Sequence, residues 1–293
     1  MGFVDLHTHS DASDGSFTPA QLVHLAKEAG LCAIALTDHD TTAGIADAVD
    51  AGKELGVEVV PGIEVSGNYE GHEIHILGLF INPDDPGLEV FLKDMRSRRD
   101  RRNEEMFHRL AADGISFTEA ELFGSNPQTV ITRAHVARAM VHKGICSSVN
   151  QAFKKYLEYG DRYCPPKEET EPESIIKILL ENGAFAALAH PFLYKLGDKK
   201  TNALITRLAD AGMQGLEVYH SSNYPLESRK LQKMAAGLRL LPTGGSDFHG
   251  SCKPDISIGT GRGGLRVSDL LLEDIRRCVC LDSKTESPES VSK

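Results

Sequence analysis

Residues 3–15 read FVDLHTHSDASDG, and the opening VDLHTH alternates apolar and polar side chains. That period of two predicts a short strand, with His7 and His9 projecting from the same side near its carboxyl end. Two imidazoles so placed can share one metal ion, and Asp14, just beyond the strand, adds a carboxylate.

Outward from this strand the chain repeats strand, then helix. TPAQLVHLAKEAG predicts a capped amphipathic helix, with Thr18 as N-cap, Pro19 at the first helical position, Gln21 at the third and Gly30 at the stop. CAIALTDHD follows as a strand, GIADAVDAGKELG as a helix and VEVVPGIEVS as a strand, which is the grammar of parallel β/α units. After the hairpin-like GNYEGHEIHILGLFI the rhythm breaks, and the stretch from about Pro86 to Pro166 predicts helices without a buried strand. Alternation resumes with AFAALAHP, MQGLEVYHS and LRLLPTGGSDFHG. The expected division is a barrel over residues 1–97 and 167–281, a helical insertion domain over 98–166, and a disordered polar tail over 282–293.

With 293 residues the chain has ample length for a large core, and its net charge of −10 argues against a protein that coats nucleic acid through a broad basic surface. No apolar run approaches the roughly 20 residues that span a bilayer, so no membrane role is expected. The start lacks the basic-then-apolar pattern of a signal peptide, and the six scattered cysteines read as reduced thiols. A cytoplasmic location is the expectation.

The residues that carry chemistry sit where the strands end. His7 and His9 close the first, Asp38 and His39 the second, Glu64 the third; His75 lies in the hairpin, His190 ends a later strand, and Asp247 with His249 ends the last. In β/α barrels such positions share one face, so these dispersed residues should converge. His24, His108 and His142 fall on helical segments and are read as surface or packing residues. Mixed histidine and carboxylate donors favour zinc, manganese or iron, and nine candidate ligands suggest more than one ion.

These motifs resemble the polymerase and histidinol phosphatase (PHP) family of metal-dependent phosphoesterases, within the amidohydrolase-like barrels. The resemblance rests on DLHTHSDASDG, LTDHD, AHP and GSDFH, with the glutamate of GIEVS and the histidine of HEIHILG between them, and runs from Phe3 to about Gly264. It implies an α/β fold, a distorted seven-stranded β/α barrel, and the ligands His7, His9, Asp14, His39, Glu64, His75, His190, Asp247 and His249, none of them replaced. It also implies a partition: the H-x-H pair, Glu64 and Asp247 around one ion, Glu64 with His75 and His190 around a second, and Asp14, His39 and His249 around a third. Two or three divalent ions would then bind phosphoryl oxygens and lower the pKa of a water toward ~7, giving a bridging hydroxide that attacks phosphorus. Asp38 is read as orienting an imidazole, and His220 as contacting phosphate or protonating the leaving group.

The insertion should choose the substrate. TVITRAHVARAMVHKG places Arg133 and His135 in a first helical turn capped by Thr132, where an arginine fork and free amides suit a phosphate. The competing reading pairs Arg133 with a carboxylate. KDMRSRRDRRNEE reads first as a solvated helical face, with phosphate or RNA contact as the alternative, and Tyr156 and Tyr163 as packing residues that could also stack on a base. The whole looks most like the stand-alone subgroup hydrolysing nucleoside 3′,5′-bisphosphates, with relatives trimming the 5′ ends of short RNA. Alternatives are a histidinol-phosphate phosphatase and a catalytically silent PHP interaction module. The expected partner is a small phosphorylated nucleotide or short RNA, with no obligate protein partner.

Overall fold

Alternation makes β1 (Phe3–Thr8) a strand, and it pairs in parallel with β2 (Ala33–Leu36), which pairs in parallel with β3 (Glu58–Tyr69). The intervening helices are α1 (Pro19–Glu28) and α2 (Ile45–Leu55). Thr18 caps α1 by accepting from the Gln21 N–H while the Gln21 side chain accepts from the Thr18 N–H, satisfying two otherwise orphaned donors. β3 folds back into the antiparallel β4 (His72–Leu79), and the chain then passes through helices α3 (Pro86–Ala112), α4 (Glu119–Phe123), α5 (Arg133–His142), α6 (Val149–Tyr156) and α7 (Pro172–Glu181). β5 (Phe185–Leu188) joins β4 antiparallel; α8 (Asp198–Asp210), β6 (Gly215–His220), α9 (Pro225–Leu238) and β7 (Leu241–Gly245) restore parallel pairing. A two-residue β8 (Val267–Ser268), too short to leave a period in the sequence, pairs antiparallel with β1 and leads into α10 (Asp269–Thr285).

The computed structural model describes residues 2–124, 126–168 and 170–285. Helix α10 thus carries four residues into the tail expected to be disordered from Asp282, and the rest of that tail lies outside the described residues.

The sheet nearly closes. Beyond β7 the Asp247 N–H donates to the His7 carbonyl at 2.9 Å, and the His9 N–H donates to that of Phe248 at 2.9 Å. A Cβ on Gly245 would lie 2.4 Å from Cβ of His7, so glycine is what lets β7 approach β1. The result is a nearly closed mixed α/β barrel of eight strands. Its interior holds small or slender groups from successive strands, among them Leu6, Ala33, Ala35, Leu77 and Ala187 around Phe185, and Leu272 and Ile275 of α10 join them. Alternate residues such as Ile34, Leu36, Val65 and Leu188 face outward onto the helices. Among the described residues there is no disulfide, and no helix is long and apolar enough to cross a membrane.

Helix α3 ties the inserted helices to the barrel. Its Leu88, Leu92 and Met95 pack in the barrel's outer core, whereas Met106 and Leu110 pack with Leu122, Val136 and Met140 in a separate cluster. The division expected between residues 97 and 98 therefore falls within one continuous helix. The basic stretch is not solely a solvated face either. Arg99 occupies the same stripe as Met95 and Met106 and is buried, with its guanidinium against the Asp40 carboxylate and 3.2 Å from Ser66 Oγ.

Candidate metal centre and its flanking cavities

All nine candidate ligands come together at the carboxyl-terminal face of the barrel. His7 ends β1 and His9 follows it; His39 follows β2, His190 follows β5, and Asp247 and His249 follow β7. Glu64 differs from expectation: it lies in mid-strand, because β3 runs on to Tyr69 in its ladder with β4. Its carboxylate is nonetheless the hub. Oε1 lies 2.9 Å from His75 Nδ1, 2.9 Å from His190 Nε2 and 3.4 Å from His7 Nε2, while Oε2 lies 3.1 Å from His39 Nδ1 and 3.3 Å from His9 Nε2. Asp247 Oδ1 is 3.4 Å from His9 Nε2 and 3.7 Å from His7 Nε2, and Asp14 Oδ1 is 3.1 Å from His249 Nε2. Two of these residues, His190 and Asp247, have positive φ (25° and 56°), backbone strain of the kind that collects at functional sites.

The donors form four overlapping groups: His9, Asp14, His39 and His249; His7, Glu64 and His190; His7, His9 and Asp247; His39, Glu64 and His75. Within each group the ligand atoms lie within 4.8 Å of one another. Several are buried without a hydrogen-bond partner, including Nε2 of His7, both ring nitrogens of His9, Nδ1 of His39 and Oδ1 of Asp14. Each such atom costs about 1–3 kcal/mol if left unsatisfied, so divalent ions fit this donor set. Buried clusters of this composition suit a multinuclear metal site.

Electrostatics agrees. Burial opposes ionisation of Glu64, yet the surrounding His75, His7 and His39 outweigh it and hold the carboxyl well below its ordinary range. Asp247 lies well below its range for the same reason, with burial outweighed by Lys253 and His249. Burial pushes His39 down to about 3, against the pull of Glu64 and Asp14. It also works against His9, but the Asp247 and Glu64 carboxylates bring that imidazole up to about 9. A metal ion bound at His9 would compete with that proton.

The model of the PHP domain matches residues 5–227 of this sequence. The chain belongs to the PHP domain family. Among PHP relatives it is 37% identical over 257 residues to the 5′-3′ exoribonuclease Rnm of Escherichia coli, covering 87% of each chain. It is 35% identical over 251 residues to the 3′,5′-nucleoside bisphosphate phosphatase of Chromobacterium violaceum, covering 85% of this chain and 88% of that one. A solved amidohydrolase from Chromobacterium violaceum, with bound sulfate and no metal, superposes with a TM-score of 0.80 at 34% identity, covering 87% and 89% of the two chains. The amidohydrolase-like barrel expected from the motifs is thus the fold of this PHP chain.

Around the nine candidate ligands lie supports that the sequence did not single out. Glu217 of β6 is fully buried; it lies 2.9 Å from His7 Nδ1 and accepts from the His190 N–H at 2.6 Å. Its only sequence signal is a carboxylate in an apolar strand. Lys253 donates to Asp247 Oδ2 at 2.6 Å. Asp38 does not orient an imidazole, as expected of it, but accepts from the Ser10 N–H and from the Ser10 and Ser13 hydroxyls. It thereby fixes the loop between His9 and Asp14, because those hydroxyls are nearer than any ring nitrogen. The imidazole-orienting position belongs to Glu217. Glu217→Gln should lower metal affinity about 10–100-fold with the barrel folded; chelator competition measures it, and wild-type affinity would refute this role.

His220 ends β6 with Nε2 3.5 Å from Asp247 Oδ2, beside the cluster. His24, His108 and His142 are exposed, as read from their helical segments. Arg133 and His135 both lie in the first turn of α5 but line different cavities, since residues two apart on a helix do not face the same way. The His135 side chain completes the cap of α5, its Nδ1 accepting from the Thr132 N–H at 3.1 Å, and burial with Arg138 nearby pushes it down to about 4. It is uncharged at neutral pH. Arg133 lines a cavity of about 160 Å³ shared with Asp14, His39, His75 and Arg99. There it lies 3.5 Å over the Tyr159 ring and donates to the Leu157 carbonyl at 3.0 Å and to Glu73 at 2.5 Å. Tyr156 and Tyr163 pack on each other, with ring centroids 5.4 Å apart, and the phenyl rings lining this cavity are those of Phe153 and Tyr159.

Proposed function

We propose that the chain is a metal-dependent phosphoesterase that hydrolyses nucleoside 3′,5′-bisphosphates, and the 5′ ends of short RNA at the same site. The observation that carries this reading is the cavity holding Arg99 and Arg133 against the flank of the intact nine-donor cluster. Two or three ions held by His7, His9, Asp14, His39, Glu64, His75, His190, Asp247 and His249 would polarise the phosphoryl group and make water a nucleophile near neutral pH. Manganese, iron and zinc all suit these donors.

The chain's own groups do the rest. Glu217 holds His7 by Nδ1 and so keeps Nε2 turned to the cluster. His220, buried beside Asp247, would protonate the departing oxygen. Arg133, held flat on Tyr159, grips the phosphate that is not cleaved. In the structure its partner there is Glu73, which also accepts from Lys167 at 2.9 Å and Tyr159 at 3.2 Å. A substrate phosphate would take over donors that now serve this carboxylate.

The test compares adenosine 3′,5′-bisphosphate with histidinol phosphate on the metal-loaded protein. Preference for histidinol phosphate would overturn the nucleotide reading, and hydrolysis of neither would favour a silent module. Arg133→Ala should then cost about 1.5–3 kcal/mol in kcat/KM on the bisphosphate, the range for hydrogen bonds to charged groups, and little on adenosine monophosphate. Equal losses on both would return Arg133 to a structural role.

A further inference from the structure

A further cavity lies on the other flank of the cluster, and apart from His220 none of its lining residues has a part in the chemistry above. It encloses about 540 Å³ between the turn after β6, the start of α9 and the loop that leads into β8. His220 is its shared wall with the metal centre: the residue lines this cavity and also lies beside Asp247. In a chain of net charge −10, the lining contains Arg229, Arg262 and Arg266 and no carboxylate. Arg262 donates to Asp255 at 2.8 Å, whereas neither Arg229 nor Arg266 has an ion pair among the described residues; Arg266 donates to the Leu265 carbonyl at 2.6 Å and lies 6.0 Å from the centroid of the Phe3 ring. On the rim the Tyr224 ring is 75% exposed.

From this arrangement we infer that the cavity binds the second and following nucleotides of a single-stranded RNA whose first nucleotide occupies the Arg133 side of the cluster. The inference rests on the nucleotide phosphoesterase reading and extends it. Arginines without carboxylate competitors bind backbone phosphates, and an exposed ring offers a stacking face to any base; together these are the elements of a sequence-tolerant single-strand groove. The two cavities flank the cluster, one beside His39 and His75 and the other beside His220, so a strand crossing the metals would fill both. A nucleoside bisphosphate, having no second nucleotide, would leave the arginine-lined cavity empty.

The probe is a 5′-phosphorylated pentauridylate carrying a 3′ fluorophore, bound by chelated protein and followed by anisotropy; the metal-loaded protein is assayed in parallel on adenosine 3′,5′-bisphosphate. In Arg229→Ala/Arg266→Ala, pentamer affinity should fall about tenfold or more at low salt, and the salt dependence should shrink by about 0.7 per lost phosphate contact. Tyr224→Ala should weaken the pentamer about fivefold or more through lost stacking. Bisphosphate hydrolysis should stay at wild-type kcat/KM in both variants. Pentamer affinity indifferent to these changes, alongside normal bisphosphate hydrolysis, would overturn the groove alone. Equal losses on pentamer and bisphosphate, or an acidic peptide of equal charge binding as tightly, would also overturn it. Arginine-dependent pentamer binding by a wild type that hydrolyses no nucleotide would support the groove and fail the enzymatic reading.

Discussion

Asp247→Ala should release at least one metal ion per chain and lower kcat/KM by more than about a hundredfold, beyond the usual 10–100-fold loss for groups that merely support a ligand. The reason lies in how many contacts converge on this carboxylate. Oδ1 faces His7 and His9, Oδ2 receives Lys253, and His220 lies 3.5 Å away. Removing it takes away an anion that balances the Lys253 charge, so the pocket becomes less hospitable to cations as well as short of a donor. The barrel should stay folded, because closure of β7 on β1 uses backbone groups of Asp247 and His7. Elemental analysis and circular dichroism of wild type and variant decide it. Undiminished metal and activity in the variant, or full wild-type activity at a small fraction of one ion per chain, would sink the cluster reading.

Arg99→Met should destabilise the metal-free protein by about 3–5 kcal/mol, the cost of leaving one partner of a buried ion pair alone. Arg99 and Asp40 are both buried, and Asp40 further accepts from the Ser66 N–H at 3.0 Å, so the stranded carboxylate cannot swing out to water. The effect carries a sign in pH. In the wild type, burial raises the Asp40 pKa but Arg99 and Lys167 outweigh it and hold the group below its ordinary 3.8. That stabilisation is therefore present above the ordinary value and lost as pH falls through the depressed one. In the variant Lys167 remains, shared with Glu73, and burial dominates, so the folded form takes up a proton more readily than the unfolded chain. The deficit should narrow as pH falls from about 7 toward about 4, read from urea unfolding of both proteins. A deficit independent of pH would assign the loss to packing alone.

Both residues show where reading the chain succeeds and where it stops. Asp247 was legible as a candidate ligand because metal ligation demands few residue types, and those types stood at strand ends: H-x-H at the end of β1, His39 after β2, His190 after β5, D-x-H after β7. The strand–helix alternation and the capping box of α1 were legible for a similar reason, since both are local patterns written within a dozen residues. Arg99 was not, although it stands in step with Leu92, Met95, Met106 and Leu110. Five arginines in KDMRSRRDRRNEE suggest solvent, and only the carboxylate of Asp40, 59 residues away, selects one of them for burial.

The amino-acid sequence by itself determined the alternating elements, the nine candidate donors and the family to which they belong. Tertiary structure alone decided which ordinary residues serve those donors. Glu217 reaches His7 across 210 residues, Asp38 turns to serines in place of an imidazole, and Arg133 and His135 part company around one helical turn. A ligand is recognisable because its chemistry restricts its type, whereas a glutamate or arginine acquires its role from the partner that folding brings within about 3 Å, and no local period records that partner.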